Sequence, residues 1–355
     1  MTILGLPGSA GEMRMKPVFL KALATCVGRQ QLSVDDAIAQ GFYSQRQAER
    51  DGYRIIRRAE TDVPTMSETV SLTALDNANL SGDAIRLLTF VAIHDHGHRR
   101  LWQPAAFLQH KLGARDSVAW SMSHGCNGLA LAAMHAAMML PVTGGAALLV
   151  GADRFEGSGF DRWRSDRGLV YGDAAAATIL SLDAGFAEIL YADVEFIPQL
   201  EEMHRMSEPD HDRKHAWDIA GSKDAFLEKG GTSSFFDAME DGIKRLHQRL
   251  TGALGRLGVQ GRAVVTPFSG RGISGNTYGR YFHPLAEVNT DELAATTGHT
   301  GTADQLVGLA SLIDSGTVQA GECVILIGAG AGFSLSAMVI RLLRKPDYAI
   351  ATDID

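Results

Sequence analysis

The sequence predicts a layered α/β protein built from two similar halves. When Cys126 is aligned with Ala303, an offset of 177 residues (303 − 126), both segments continue without a gap as far as Ala152 and Ala329. Each copy contains a helix of small residues, a glycine-containing turn and a continuous apolar strand, AALLVGAD in the first and CVILIGAG in the second. Continuous apolar strands are buried on both faces, as in a sheet that is covered by helices.

The rest of the chain adds strands and helices around this repeat. In chain order, periodicity predicts a strand at 87–93, a helix at 104–111, a strand at 118–122, a buried helix and strand within 129–152, paired strands at 174–182 and 187–197, a long helix at 234–257 and a final strand at 333–342. The polar, charge-rich segment 199–230 interrupts the pattern as an excursion or a lid. A short disordered tail rich in Asp is expected at the end.

Composition and charge limit the function classes. The 355 residues are 45% hydrophobic and 21% charged, which is ordinary for a folded protein and excludes disorder of the whole chain. The 33 basic residues against 41 acidic ones give a net charge of −8. Since nucleic-acid binding depends on clustered basic residues, and the chain has no long basic tract, we expect no nucleic-acid partner.

Cysteine content and hydropathy predict a cytoplasmic protein. The three cysteines are too few and too scattered for a disulfide framework or a structural zinc site: Cys26, Cys126 and Cys323. The first residues lack a basic leader followed by a sustained apolar run, so no signal peptide is expected. The most apolar region, 129–152, is interrupted by Pro141 and a Gly-Gly pair, which favours a buried helix and strand and no membrane span.

Cys126 is the first candidate nucleophile. It lies where a predicted strand meets a helix of Ala, Leu and Met. The positive end of a helix and its unpaired N–H groups favour a thiolate, and the same amides can bind an oxyanion. The small neighbours Gly125, Gly128 and Ala130 leave room for an acyl chain. A buried, inert cysteine is the alternative reading of this position.

Two further patterns suggest cofactors, and neither is convincing. His94, His96 and His98 alternate in HDHGH and would share one face of a strand, but no cysteine or acidic partner accompanies them, so we favour a histidine loop and predict no metal. GAGAG after the strand at the second repeat resembles a dinucleotide loop, which requires a following helix. The following residues alternate as a strand does. We therefore predict no cofactor.

Four segments together carry a family resemblance: GCNG at the start of the small-residue helix, YGDAAAATIL, GHTGTADQ and VILIGAGAGFSLSAMVIR. In this order they resemble the ketosynthase III branch of the thiolase superfamily, and the resemblance extends from about residue 13 to residue 343. It implies a duplicated five-layer α/β/α/β/α sandwich with halves at 1–185 and 186–355, a homodimer, and self-acylation of Cys126.

The departures from that family are equally informative. A condensing ketosynthase III carries a histidine and an asparagine that bind the thioester carbonyl and drive decarboxylation of a malonyl group. In TPFSGRG this sequence has Phe268 at the histidine position, and in GHTGTAD it has His299 at the asparagine position. The decarboxylating pair is therefore absent, and we expect different chemistry.

A Cys/His/Asp arrangement takes the place of that pair. His299 and Asp304 stand at the start of the helix that the repeat matches to the Cys126 helix, and pseudo-twofold packing would bring both helix starts together. His299 would then deprotonate Cys126 and later an acceptor, while Asp304 fixes the imidazole tautomer. This pattern resembles a subgroup of ketosynthase III-like proteins from natural-product and polyketide pathways. The family pattern also implies an oxyanion hole formed by the amides of Cys126 and Ala331.

Three residues are candidates for substrate binding. His124, two residues before Cys126, either contacts the acyl group or is a satisfied core histidine. Phe268 occupies the position of the missing histidine. Arg271 either pairs with a carboxylate of the donor or has a structural role.

The sequence thus predicts an acyltransferase that works through an acyl-cysteine. The donor is an acyl carrier protein or CoA thioester, the acyl group is aryl, short aliphatic or malonyl, and the acceptor is a hydroxyl or amine of a sugar or aminocyclitol type of natural product. The alternative enzyme is a starter-unit ketosynthase that condenses the acyl group with malonyl carrier protein. A third reading is a silent partner subunit of a ketosynthase heterodimer, with an unreactive Cys126.

Overall fold

The strands of the repeat keep their predicted register. In the computed structural model, which describes residues 2–4, 16–93, 101–156, 159–204, 218–230 and 232–352, the two strands are Ala146–Asp153 and Cys323–Gly330. Both are eight residues long, buried throughout, and separated by the offset of the repeat at either end. The helices that precede them are Gly128–Thr143 and Asp304–Asp314.

Strands and helices are numbered here in chain order. The strands are β1 Thr2–Leu4, β2 Val18–Val27, β3 Gln30–Ser33, β4 Ile55–Arg58, β5 Ile85–Val91, β6 Val118–Met122, β7 Ala146–Asp153, β8 Ala174–Ser181, β9 Ala187–Phe196, β10 Gly261–Val265, β11 Ala286–Asn289, β12 Cys323–Gly330 and β13 Ser334–Leu342. The helices are α1 Val34–Ala39, α2 Gln45–Asp51, α3 Val63–Ala78, α4 Pro104–Lys111, α5 Gly128–Thr143, α6 Ile219–Gly230, α7 Thr232–Leu257, α8 Arg271–Ile273, α9 Arg280–Phe282, α10 Asp291–Ala295 and α11 Asp304–Asp314.

The sheet order shows the duplication directly. Within the described residues the large sheet runs β11-β10-β12-β13-β9-β2-β8-β7-β5-β6, and β1 pairs with β9. The order is palindromic about the β9–β2 pair, so β7 corresponds to β12, β5 to β10 and β6 to β11. In both arms the outer strands are parallel and the inner strands antiparallel. The assignment of the halves to 1–185 and 186–355 stays a prediction.

Three hydrophobic clusters separate the layers. The central cluster combines residues of α5 and α11 with strands of both arms. A second cluster packs α3 and α4 on the outer face of the first arm, and a third packs α7 on the outer face of the second arm. This arrangement is helices, sheet, helices, sheet, helices, as the family resemblance implies, and it covers both faces of the continuous apolar strands.

Several element predictions are accurate and two are corrected. The helix at 104–111 and the strand at 118–122 have the predicted bounds. The strands at 174–182 and 187–197 form as β8 and β9 but are not paired, because β2 lies between them and bonds to both.

The tail also differs from expectation, whereas the excursion stays a prediction. The described parts of 199–230 contain a 3₁₀ segment, Pro198–His204, and the helix α6. The tail is ordered as far as Thr352: Ile350 is fully buried, and its carbonyl accepts a hydrogen bond from Thr25 N at 3.0 Å. An apolar residue near the end of the chain supplies the anchor that Asp-rich composition alone does not suggest.

One helical stretch, Gly125–Thr143, has the length and apolar composition of a membrane span, and 56% of it is buried inside the protein. A core helix passes the same test, so this stretch is weak evidence for a membrane.

Truncation of the central layer should destabilise both halves at once. Leu149 in β7 is fully buried in the central cluster. Because Leu149→Ala removes contacts and leaves a cavity, we expect the free energy of unfolding to fall by about 2–5 kcal/mol. Urea denaturation followed by circular dichroism measures this change. Leu72→Ala on α3, where the side chain is 43% exposed, is the control, and an equal loss in both variants would contradict the placement of Leu149 in the core.

Candidate active site

Cys126 lies in a tight turn between β6 and α5. The turn is a single 3₁₀ segment, Gly125–Asn127, and α5 begins at Gly128. Gly125 has a φ of +52°, and a Cβ at this position would lie 2.7 Å from the backbone N of Ala331. Only glycine fits this close approach. The turn therefore places Gly125, the residue before Cys126, against Ala331, and Cys126 and Ala331 are the two residues predicted to form the oxyanion hole.

Asn127 fixes this turn to the other half of the molecule. Its side-chain amide donates to Ser334 Oγ at 2.9 Å and accepts from Ser336 Oγ at 2.6 Å. Both serines lie on β13, and Asn127 is fully buried. The nucleophile turn of the first half is thus held by two hydrogen bonds to a strand of the second.

A hydrogen-bonded chain joins the three predicted catalytic residues. His299 Nε2 lies 3.0 Å from Cys126 Sγ, and His299 Nδ1 lies 2.6 Å from Asp304 Oδ2. The two helix starts meet as the repeat predicts, since His299 and Asp304 flank the 3₁₀ turn that leads into α11. Placed in this way, Nδ1–H donates to the carboxylate, and Nε2 is free to exchange a proton with sulfur.

The Asp304 carboxylate is fully buried and fully bonded. Besides the His299 ring, it accepts from Phe268 N at 2.8 Å and from both the backbone N and the hydroxyl of Thr300 at 2.7 Å. These bonds satisfy both carboxylate oxygens and hold the carboxylate, with its negative charge, beside the imidazole.

This charge changes the proton affinity of His299. Burial opposes a charged imidazole, but the Asp304 carboxylate and the Cys126 sulfur outweigh it and hold the pKa of His299 well above its ordinary value. The ring therefore remains protonated at neutral pH, and it can stabilise a thiolate on Cys126 at hydrogen-bond distance.

The segment before β8 fixes the backbone of His299. His299 N donates to Val170 O at 2.8 Å, Gly172 N donates to His299 O at 2.9 Å, and the Tyr171 ring packs against the imidazole at 5.2 Å between centroids. Gly172 cannot carry a side chain, because its Cβ would lie 2.2 Å from Thr297 O. The segment 171–173 is therefore a structural turn that holds His299 in position.

Two buried aspartates support this geometry from farther away. Asp173 pairs with the Arg162 guanidinium at 3.0 Å and accepts from two backbone amides. Asp153, at the end of β7, accepts from the amide and hydroxyl of Thr302, both at 2.9 Å, and so fixes the turn that leads into α11. Sequence analysis missed these functions because the partners are distant in the chain.

His124 lies beside the loop 331–333 between β12 and β13, which contains Ala331 and is called here the candidate oxyanion loop. Its Nε2 is 2.9 Å from Ser334 Oγ, its ring meets Phe196 edge to face, and its Cε1 lies 3.7 Å from where a Cβ on Gly332 would stand. Burial lowers the pKa of His124, so its ring is neutral near pH 7. A neutral, partly exposed ring at this place is compatible with the predicted contact to an acyl group.

Phe268 and Arg271 are placed differently from each other. The Phe268 side chain is fully buried in the central cluster, and its backbone contributes to the site through the amide that binds Asp304. Arg271 is exposed and lines a surface pocket with Asp51, Asp291 and Glu292. In this structure Arg271 therefore faces acidic groups. Substrate contact by Phe268 and Arg271 stays a prediction.

The structure reveals two tyrosines that the sequence did not assign to the site. Burial raises the pKa of Tyr171 and of Tyr278, and negative charge on Cys126 raises both further. Tyr278 lies on a π-helical turn, Ser274–Gly279, a local distortion that is common at functional sites. No sequence pattern identified Tyr278.

The described residues contain no group of three or more potential metal ligands. His94, His96 and His98 lie outside the described residues. The glycine-rich segment after β12 leads into the strand β13, so the chain has no helix there to bind a dinucleotide phosphate.

Comparisons with known proteins agree with this fold. Residues 286–342 match the model of the 3-oxoacyl-[acyl-carrier-protein] synthase III C-terminal family. A β-ketoacyl-[acyl-carrier-protein] synthase III from Prochlorococcus marinus is 30% identical over 143 residues, which is 40% of this chain and 41% of that protein. The acetoacetyl CoA synthase NphT7 from Streptomyces sp. strain CL190 is 26% identical over 80% of this chain and 84% of its own.

A solved structure is similar over almost the whole chain. ChlB3, described as an acyltransferase, has a TM-score of 0.85 and 28% identity, covering 93% of this chain and 99% of its own. The predicted thiolase-like fold is confirmed. In fold and in sequence the chain is thus similar to ketosynthase III-like enzymes of the thiolase superfamily.

Loss of the Asp304 charge should slow thiol reactivity in a pH-dependent way. In Asp304→Asn the pKa of His299 falls towards its ordinary value, so fewer molecules carry the imidazolium–thiolate pair at pH 7. We expect iodoacetamide to alkylate Cys126 on the order of tenfold more slowly at pH 7, with the difference narrowing above about pH 9, where an ordinary thiol ionises unaided. Peptide mass spectrometry measures the rate.

Asp314→Asn, at the other end of α11, is the matched control and should react as the wild type does. A rate for Asp304→Asn that equals the wild-type rate at every pH would contradict the proposed charge coupling.

Proposed function

We propose that the protein is an acyltransferase that moves an acyl group through Cys126 to a hydroxyl or amine. The hydrogen-bonded chain Cys126–His299–Asp304 carries this proposal, because it unites a nucleophile, a base and an orienting carboxylate within hydrogen-bond distance. The structural similarity to ChlB3 supports it.

In the first step the Cys126 thiolate attacks the carbonyl carbon of an acyl thioester. The amides of Cys126 and Ala331 are the proposed donors to the resulting oxyanion. When the intermediate collapses, the bond between carbonyl carbon and donor sulfur breaks, and the His299 imidazolium gives its proton to the departing thiolate. The products are an acyl-cysteine, a free donor thiol and a neutral imidazole.

In the second step the neutral imidazole accepts the proton of an acceptor hydroxyl or amine as that group attacks the acyl-cysteine. Collapse of the intermediate breaks the carbon–sulfur bond, releases the acylated acceptor and restores the pair of thiolate and imidazolium. The Asp304 charge stabilises the imidazolium at both ends of the cycle without itself taking a proton.

Decarboxylative condensation lacks two of its side chains here. The resemblance assigns the binding of the thioester carbonyl to a histidine and an asparagine, whose positions hold Phe268 and His299. The Phe268 ring offers no hydrogen bond, and its backbone amide is already bound to Asp304. His299 is bound to Cys126 and Asp304 at its two ring nitrogens. These facts favour transfer to a heteroatom over condensation with a malonyl thioester.

The donor and the quaternary state are part of the proposal. The names of the similar proteins include both acyl carrier protein and CoA, so a thioester of either is the proposed donor. We also propose a homodimer. Among the described residues β6 pairs only with β5, which leaves one edge open, and Val118 on β6 and Val142 at the end of α5 are 55% and 82% exposed.

A condensing enzyme is the second candidate, and the similarity to an acetoacetyl CoA synthase favours it. The two candidates differ in the fate of the acyl-cysteine. In condensation a malonyl thioester would discharge the acyl group and release CO₂. In the proposed transfer it would not.

The deciding experiment is intact-protein mass spectrometry after incubation with aryl, short aliphatic and malonyl thioesters of CoA and of a carrier protein. We expect a single acyl adduct that is absent in Cys126→Ala and present in Cys323→Ala, the matched control, since Cys323 is a buried free cysteine away from the site. A chase with malonyl-CoA should leave this adduct intact. Discharge with formation of a carbon–carbon bond would establish condensation, and no adduct from any donor would contradict the nucleophile assignment and favour a silent partner subunit.

A further inference from the structure

A second polar cluster lies next to the catalytic residues and has no part in the steps above. It consists of Asp166, Tyr171, His204 and Lys223, which come from three separate segments of the chain. Asp166 is buried; one of its oxygens accepts from Tyr171 at 2.8 Å, and the other accepts from the Lys223 ammonium at 2.5 Å. The charges of Asp166 and Lys223 also act on the pKa of His204: Lys223 lowers it, and Asp166 raises it.

The cluster borders the reaction centre on two sides. On one side the Tyr171 ring packs on the His299 imidazole. On the other side the His204 ring stacks on Phe333, with centroids 6.5 Å apart and planes 18° apart, and Phe333 stands two residues after Ala331 in the candidate oxyanion loop. A group held between these sides would therefore lie near both the base and the acyl carbonyl.

His204 has an unused hydrogen-bonding atom. Its Nδ1 is buried and finds no hydrogen-bond partner within the part of the chain that the structure describes. Burial, aided by the Lys223 charge, lowers the pKa of His204 to about 4, so the ring is neutral at physiological pH. Since buried polar atoms are almost always bonded in folded proteins, an unpaired one beside a reaction centre indicates a place for a ligand atom.

The helix α6 holds this cluster in place. Ala220 N donates to Ser165 O at 3.0 Å, Lys223 binds Asp166, and Arg167 forms an ion pair with Asp224. These three contacts hold α6 against the loop that contains Asp166. The charge-rich excursion, residues 199–230, thus supplies Lys223 and His204 to the cluster.

We propose that His204, together with the Asp166–Lys223 pair, forms the acceptor subsite and binds a neutral, hydroxyl-rich molecule. This inference rests on the proposed acyl transfer. The free Nδ1 of His204 would bond one hydroxyl of the acceptor, and the ion pair would bond its neighbours, while another hydroxyl faces His299.

The charges of the cluster select this class of acceptor. Asp166 and Lys223 neutralise each other, and His204 carries no charge, so the subsite as a whole has no net charge to attract an ion. An acceptor carboxylate or ammonium would have to compete with one member of this ion pair for the other, which costs the existing Asp166–Lys223 interaction. A hydroxyl both donates and accepts, and it can bond to either member of the pair and to an imidazole.

The test measures the two half-reactions separately in His204→Phe, which keeps an aromatic ring against Phe333 and removes Nδ1. Acylation of Cys126 by acetyl-CoA is followed by intact mass, and loss of the acetyl group is then timed with and without the neutral polyols myo-inositol and methyl α-D-glucopyranoside. In the wild type we expect these probes to accelerate discharge and to become acetylated. In His204→Phe we expect that acceleration to fall at least tenfold relative to the acylation rate of the same variant.

His247→Phe is the matched control, because His247 is also half-buried, packs on an aromatic ring, Tyr281 at 5.7 Å, and has a pKa lowered by burial, but lies on α7. It should behave as the wild type does. The subsite is overturned if neither polyol accelerates discharge in the wild type, or if His204→Phe slows both half-reactions equally. Absence of an acyl adduct in the wild type with acetyl-CoA and with every other thioester of the panel above would instead overturn the proposed function itself.

Discussion

The buried charge of Asp304 is the constraint on which the site depends. A carboxylate without solvent must be surrounded by donors, and here they come from the His299 ring, the Phe268 amide and Thr300. Satisfying one side chain therefore fixes the imidazole, the loop after β10 and the turn before α11 relative to one another. The raised pKa of His299 follows from the carboxylate that these bonds hold beside the imidazole.

Much of the site could be predicted because its members are marked locally. Cys126, His299 and Asp304 each stand at the start of a helix in a glycine-rich segment, and the repeat indicates that both helix starts meet. Their supports are not marked in this way. Asp153 and Asp173 bind groups that the sequence separates widely, and nothing local shows that a carboxylate will be buried against a distant amide. Prediction of such contacts requires the packed fold.

The same distinction explains the errors in the fold. Lys21 and Thr25 interrupt the apolar residues of β2, so the sequence has no continuous apolar run that would indicate this strand. Because β2 was not predicted, β8 and β9 were expected to pair with each other, whereas β2 lies between them. The order of the tail depends on a few specific contacts: Ile350 is buried beside β2, and Thr352 N donates to Thr25 O at 2.7 Å. The average composition of the tail does not indicate such contacts. Periodicity was informative where the strands are apolar on both faces, as in β7 and β12.

The palindromic sheet divides the reacting groups of the site between the two repeats. One repeat supplies the sulfur, and the other supplies the base and its carboxylate, so neither repeat contains a complete set of reacting groups. Because a single chain carries both, their encounter is intramolecular, and its effective concentration is set by the length of the connecting chain, not by the amount of protein in solution. The site can assemble at any dilution, and each repeat is free to specialise for half of the chemistry.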